Sequence, residues 1–250
     1  MLISQLDLRQ SLNAAACARR ALCAIAGAGL LLAALPAGAA DVAPAPATRI
    51  ETSFPAATPA QLAAGAQVAQ TCAACHGLDG NATSIQFPKL AGQHADYLVK
   101  QLHDFRAEKG AQRPARINPV MNGIAATLTE QQVRDVALYY SRQVLKPAVA
   151  AAGGKELELG RDIWMTGIPD RAVPACAACH GPAGEGMPSR YPRVGGQWQG
   201  YLDAQLQRFR NDQRTNSPDM TEIASRMTDQ QIAAAADFAA GLRAQPVAAH

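Results

Sequence analysis

The sequence predicts an all-α protein made of two similar domains in tandem, and three observations lead to this prediction. Apolar residues recur at helical spacing in several segments, for example Tyr97, Leu98 and Leu102. No segment shows the alternation of apolar and polar residues that is typical of a half-buried strand. The pattern of the first half of the chain also returns in the second half at an offset of 104 residues, which indicates an internal duplication.

The chain begins with a segment that has the features of an export signal. Positive charges at Arg9, Arg19 and Arg20 precede an apolar run over 21–35, and small residues typical of a cleavage site follow. Because the apolar run is too short for an ordinary membrane span, we expect a signal peptide over 1–40 and a periplasmic location. Retention of this segment as an N-terminal anchor is the alternative.

Export sets the composition of the mature chain. Cleavage would remove Cys17 and Cys23 and would lower the formal net charge from +3 to +1, which gives a nucleic-acid partner no electrostatic support. Residues 41–58, rich in Ala, Pro and Thr, are predicted to form a flexible leader. No long apolar run follows, so membrane association is expected only through partners.

Domain 1 is expected over 59–146. Pro59 suits a first helical position, Gly110 marks a helix stop, and Thr129 begins a Thr-x-x-Gln capping box. The proline-containing segment 111–123 is predicted to be a loop. Three helices are predicted, over 59–71, 94–108 and 129–143.

Domain 2 is expected over 155–250, after a linker over 147–154. A predicted helix over 155–166 matches the first helix of domain 1, and an extra loop around 167–174 follows it. Past a five-residue deletion the offset between the domains falls to 99. The repeat pairs Pro88 with Pro192, Gln93 with Gln197, Tyr97 with Tyr201, Gln101 with Gln205, Arg106 with Arg210 and Met121 with Met220.

One pentapeptide occurs in both domains, and it indicates the chemistry of the chain. Cys72-Ala-Ala-Cys75-His76 returns as Cys176-Ala-Ala-Cys179-His180. Cys-x-x-Cys-His is the attachment signature of c-type haem, in which two thiols bond to the porphyrin and the histidine binds the iron. A redox dithiol or half of a zinc site would not require a histidine after both copies. The sequence therefore predicts two covalently bound haem c groups, with His76 and His180 as axial ligands.

Each haem iron has a second axial position, and the sequence offers candidates for it. In domain 1 the candidate is Met121, because it is the only methionine between Met1 and Met165. A thioether ligand opposite histidine is typical of electron-carrying cytochromes. His94 and His103 are the alternatives, but neither has a counterpart in domain 2 and both are interpreted as surface histidines.

In domain 2 the candidate is Met220, which holds the repeat position of Met121. Met227 corresponds to a core leucine and is predicted to be buried. Met165 and Met187 are interpreted as packing residues.

Two further predictions concern groups around the haems. A metal-bound histidine normally donates its other ring N–H to a carbonyl or carboxylate. The carbonyls of Pro88 and Pro192, each twelve residues after its histidine, are predicted to accept these bonds. Arg106 and Arg210 would suit haem propionates, although an ordinary solvated arginine explains the same repetition.

The repeated motifs together resemble the dihaem cytochrome c4 family over nearly all of residues 60–245. The resemblance implies two class I cytochrome c folds related by pseudo-twofold symmetry, with the haems facing each other across the domain interface. It also implies His/Met ligation in both domains and periplasmic electron transfer, often to a cbb3-type terminal oxidase. The motifs that carry it are Cys-Ala-Ala-Cys-His-Gly, Pro-x-Leu-Ala-Gly-Gln, Gln-Leu-x-x-Phe-Arg and Met-x-x-Ile-Ala.

The leading functional hypothesis is an electron carrier with no small-molecule substrate, which links a quinol-oxidising or dehydrogenase donor to a terminal oxidase. The alternative is the cytochrome subunit of a larger dehydrogenase complex. A dihaem peroxidase or thiosulfate-oxidising enzyme would need an open iron or a cysteine ligand, and the mature chain has no spare cysteine. The hypothesis therefore assigns no catalytic residue.

Overall fold

The computed structural model describes residues 56–107, 112–151, 153–188 and 190–243. Within these ranges the chain is helical and contains no strand, although two isolated bridges join Ile168 to Val173 and Met187 to Tyr191. The predicted signal peptide and most of the predicted leader lie outside them, as do Glu108 and Gly110. No helix in this described part of the chain is both long and apolar enough to cross a membrane.

The helices fall into two sets, one for each copy of the repeated pattern. Domain 1 contains α1 (Pro59–His76), α2 (Ala95–Asp104), α3 (Pro119–Thr127) and α4 (Glu130–Ser141). Domain 2 contains α5 (Gly154–Thr166), α6 (Ala177–His180), α7 (Gln199–Arg210), α8 (Pro218–Ser225) and α9 (Asp229–Gly241). A 3₁₀ turn over Pro169–Arg171 lies in the extra loop predicted between α5 and α6.

The structure differs from the prediction in the bounds of two helices and in one segment that was predicted to be a loop. Helix α1 continues past residue 71 through the Cys-x-x-Cys-His motif, because nothing interrupts the helix before Gly77. Helix α2 ends at Asp104, where the Arg106 N–H bonds to the His103 carbonyl in a tighter turn. The prediction of a loop over 111–123 is wrong in its second part, since Asn118 caps a helix that begins at Pro119.

In each domain the first helix packs against the last helix, and in domain 1 the first helix also carries the haem motif. The crossing is close because a glycine lies at the contact: Gly65 of α1 faces the Asp135 carbonyl of α4, and Gly160 of α5 faces the Ala234 carbonyl of α9. The cores beneath are apolar, and Met227 is buried in the second one, as predicted.

A polar network joins the two domains on the side of α2 and α7. Arg214 donates to the Tyr97 hydroxyl at 3.1 Å and to Gln101 at 3.1 Å, both in domain 1. In the reciprocal arrangement Arg116 donates to the Tyr201 hydroxyl at 3.0 Å and to Gln205 at 3.1 Å. These reciprocal contacts reflect the pseudo-twofold relation between the domains.

Candidate haem-binding sites

Both motif histidines are held by the same hydrogen bond, and His76 is buried whereas His180 is partly buried. The Nδ1 atom of His76 lies 3.0 Å from the Pro88 carbonyl oxygen, and Nδ1 of His180 lies 3.0 Å from the Pro192 carbonyl oxygen. A carbonyl can only accept, so Nδ1 carries the proton and Nε2 keeps its lone pair free for a metal. The prediction that these two prolines supply the acceptors is confirmed.

Burial also keeps both histidines in the form that binds metal. It lowers the pKa of His76 and of His180 below the ordinary value, although the hydrogen bond to each proline carbonyl partly opposes the shift. The neutral imidazole is therefore favoured at neutral pH, and only this form can bind iron.

The four cysteines of the two motifs are half-buried, and none of them forms a disulfide. Each pair lies within about one helical turn because the motif is helical, or begins a helix, in both domains. Burial raises the pKa of the Cys72 thiol and raises that of Cys176 to about 11, so both remain protonated at neutral pH. It is their spacing that suits the two cysteines of each motif to bond to one porphyrin.

The two candidate methionines occupy equivalent places. Met121 lies in the first turn of α3, where its N–H bonds to the Asn118 side chain at 3.0 Å, and Met220 lies in the first turn of α8. Both side chains are half-buried. Their role as iron ligands stays a prediction.

The alternative ligands in domain 1 are engaged elsewhere. The Nε2 atom of His94 lies 2.8 Å from the Glu185 carbonyl oxygen of domain 2, and Nε2 of His103 lies 2.9 Å from a carboxylate oxygen of Glu130. In domain 2, the interpretation of Met165 as a packing residue is wrong, since it is 52% exposed at the end of α5.

Arg106 and Arg210, which were considered for the haem propionates, contact groups of their own domains, and their pairing with a propionate stays a prediction. Arg106 donates to the carbonyl oxygens of Ala125 and Leu128 at 2.8 and 2.5 Å and also pairs with Glu130, so it joins the end of α3 to the start of α4. Arg210 pairs with Asp229 at 2.6 Å at the equivalent junction. Both side chains stabilise their own domain.

Two other cations, which sequence reasoning did not assign to the site, fit an anionic group. Lys89 and Arg193 directly follow the two prolines and line a small cavity between the domains. Burial lowers the pKa of both groups, and the Arg193 Nε atom is buried without a hydrogen-bond partner among the described residues. Haem propionates are anions that could pair with them. The feature of the sequence that could have identified these two residues is the Lys or Arg that follows each repeated proline.

A helix that ends in Cys-x-x-Cys-His, a histidine fixed by a proline carbonyl and a last helix crossing the first define a class I c-type cytochrome domain, here present twice. The Cytochrome c family model matches residues 62–141 and 158–242. Cytochrome c4 of Thiocapsa roseopersicina is 41% identical over 175 residues, which cover 68% of this chain and 86% of the relative. The chain therefore belongs to the dihaem cytochrome c4 family, and it is an electron-transfer cytochrome with two covalently bound haem c groups.

Two further proteins are similar to this chain, one a solved structure and one a relative named as an electron acceptor. The fold superposes on reduced recombinant cytochrome c4 from Pseudomonas stutzeri with a TM-score of 0.66 and 34% identity, over 73% of this chain and 98% of that one. The thiosulfate dehydrogenase electron acceptor of Thiomonas intermedia (strain K12) is 38% identical over 203 residues, which cover 76% of this chain and 86% of the relative.

Proposed function

We propose that this protein is a periplasmic electron carrier with one histidine–methionine iron in each domain. Haem supplies one-electron Fe(III)/Fe(II) chemistry, and the protein binds the haem, orients its ligands and excludes water. In this proposal Cys72 and Cys75 hold haem 1 and Cys176 and Cys179 hold haem 2. The axial ligands are His76 and Met121 for haem 1, and His180 and Met220 for haem 2.

The observation that carries the proposal is the identical placement of both proximal histidines. Each is neutral and fixed through Nδ1, so that only Nε2 remains for iron. Methionine at the repeated opposite position would complete both irons and leave no coordination site for a substrate. Such a protein moves electrons between other proteins.

The donor and acceptor are proposed from the relatives and from the location. Similarity to a thiosulfate dehydrogenase electron acceptor supports a periplasmic dehydrogenase as the donor. We propose a terminal oxidase of the cbb3 or another type as the acceptor, so that the carrier meets the membrane only through its partners. Residues 60–146 carry nine Lys and Arg against six Asp and Glu, so domain 1 is expected to dock on an acidic partner surface through salt-sensitive contacts.

The test is an optical redox titration of the mature holoprotein, repeated with carbon monoxide and peroxide. Wild type should show two low-spin haems with the methionine–iron(III) band, both inert to the added ligands. Met121→Ala and Met220→Ala should each lose about half of that band and open one haem to carbon monoxide. Met165→Ala is the matched control, because this exposed methionine lies outside both proposed sites.

Retention of the full band in Met121→Ala or Met220→Ala would show that the ligand is misassigned. A wild-type haem that reacts with peroxide would instead point to an enzyme.

A second experiment tests the proposed docking. The ferrous protein is mixed with membranes that contain a terminal oxidase, and the rate of its oxidation is measured at rising salt concentration. A rate of oxidation that does not fall would contradict the proposed electrostatic docking.

A further inference from the structure

Two buried glutamine side chains cross the domain interface and pair with the backbone of the opposite domain. Gln197 accepts the Lys89 N–H at 2.9 Å and donates to the Lys89 carbonyl at 2.9 Å. Gln93 accepts the Arg193 N–H at 2.9 Å and donates to the Arg193 carbonyl at 2.8 Å. Each glutamine is only 8% exposed, so water does not compete for these bonds.

The amide that each glutamine binds belongs to the peptide group that holds a proximal histidine. The Lys89 N–H and the Pro88 carbonyl are the two ends of one peptide unit, and the Pro88 oxygen lies 3.0 Å from the Nδ1 atom of His76. The same relation joins Gln93, through the peptide unit between Pro192 and Arg193, to His180. A hydrogen-bonded chain therefore runs from a glutamine of one domain to the proximal histidine of the other.

A hydrogen bond to the N–H side of a peptide group polarises the group and makes its carbonyl a better acceptor. A better acceptor at Nδ1 makes the imidazole a more basic ligand for the metal bound at Nε2. A more basic ligand stabilises Fe(III) relative to Fe(II). The crossed glutamines should therefore hold the potential of each haem below the value it would have in an isolated domain.

We propose that Gln197 is a positioning residue that sets the potential of haem 1, and that Gln93 does the same for haem 2. The inference rests on the axial ligation by His76 and His180 proposed above. It makes the potential of each haem depend on the docking of the other domain.

The size of the effect follows from the position of the glutamine in the chain of bonds. Loss of a direct partner of a metal-bound histidine typically changes metal affinity about 10- to 100-fold. The glutamine acts one bond further out, so we expect a roughly two- to tenfold change in the relative stability of the two iron states. At 59 mV per tenfold for a one-electron couple, this is about 20 to 60 mV.

The experiment uses Gln197→Leu and Gln93→Leu in the full holoprotein, with the potential of each haem read by spectroelectrochemical titration. NMR signals of the axial methionine methyl groups, assigned with Met121→Ala and Met220→Ala, identify the haems. Gln197→Leu should raise the potential of haem 1, and Gln93→Leu that of haem 2, with a smaller change at the haem of the mutated domain. The Nδ1–H proton of the opposite histidine should also exchange faster in the ferrous protein.

Asn216→Ala is the matched control. It removes hydrogen bonds to Gln101 and Asp104 of domain 1, and Asn216 contacts neither of the hydrogen-bonded chains that run from a glutamine to a proximal histidine. It should leave both potentials unchanged. Where leucine prevents the domains from docking, Gln197→Asn and Gln93→Asn serve instead, since their shorter side chain loses reach and should give the same crossed pattern.

A larger shift at the haem of the mutated domain than at the opposite haem, equal shifts at both haems, or no shift with both methionine–iron bands intact would overturn the inference alone. A wild-type spectrum without histidine–methionine ligation would overturn the proposed ligands, and the inference with them. The two failures are therefore distinguishable from the spectrum of the unmutated protein.

Discussion

The close crossing of α1 and α4 predicts the effect of a single added methyl group. A Cβ atom on Gly65 would lie 2.2 Å from the Asp135 carbonyl oxygen and 2.7 Å from the Cβ atom of Tyr139. Ordinary contacts begin at 3.4 Å, so the two helices would have to separate by roughly 1 Å in a tightly packed core. The obstructing atoms belong to the backbone and its first side-chain carbon, and no change of rotamer relieves the clash.

Gly65→Ala should therefore destabilise the protein. Overpacking of this kind costs about 1 to 3 kcal/mol, and the rigid obstacle places the cost at the upper end of that range. The higher helix propensity of alanine offsets this by about 1 kcal/mol, because glycine is less favourable inside a helix. The net loss is about 2 kcal/mol, which corresponds to roughly 8 to 16 °C in Tm for a domain of this size.

The assay is thermal unfolding of the ferric holoprotein followed by far-UV circular dichroism, with the haem spectrum recorded first to verify the native site. Gly160→Ala should repeat the result in domain 2, because its Cβ would lie 2.3 Å from the Ala234 carbonyl oxygen. Gly123→Ala in α3 is the matched control: nothing lies within 4 Å, so it should raise the stability by about 1 kcal/mol. A wild-type Tm for Gly65→Ala, or an equal loss for Gly123→Ala, would refute the reasoning.

Two further predictions concern charged groups. Hydrogen bonds from Lys146 and Asn81 lower the pKa of Asp79 to about 2 from its ordinary 3.8, so its stabilising effect is present above pH 4 and is lost as the pH falls towards 2. Asp79→Asn should accordingly be less stable than wild type at pH 6 and equally stable near pH 2 in urea titrations, and a constant difference would contradict this. Arg214→Met would remove the donor to the partly buried Tyr97 hydroxyl, at about 1 to 3 kcal/mol, whereas Gln101 would keep Arg116 and Asn216 as donors. Small-angle scattering should then detect looser docking of the domains, and unchanged scattering at an unchanged urea midpoint would exclude this role.

The haem attachment motifs can be recognised in the sequence because their chemistry is local. Two thiols and a histidine must fall within about one helical turn to hold a porphyrin, and this spacing is visible in the chain. The partner of each histidine was also predictable, since a metal-bound imidazole needs an acceptor and the same proline follows both motifs at the same distance. The structure confirms both proline carbonyls.

Other features depend on contacts between distant segments and were predicted less well. Helix α3 was missed because two prolines and low helical propensity suggested a loop, whereas Asn118 and Pro119 in fact start a helix. The contacts of Arg106 could not be predicted, because the sequence does not show that the end of α3 lies within reach of its guanidinium. The role of Gly65 depends on which helix crosses α1, and no local pattern reveals that.

The crossed glutamines show what a duplication can reveal when burial is considered together with repetition. A polar side chain at a repeated position is costly to bury unless it finds a hydrogen-bond partner. When both copies retain it and its own domain satisfies only part of it, the other copy is the natural source of the remaining partners, because pseudo-twofold symmetry brings the same position of each domain to one interface. Gln93 and Gln197 each accept one bond from their own domain, from the N–H of the next residue, and both also reach the backbone that holds the other domain's histidine. The interface therefore contacts both haem sites directly, which makes the haem potentials the appropriate measure of domain docking.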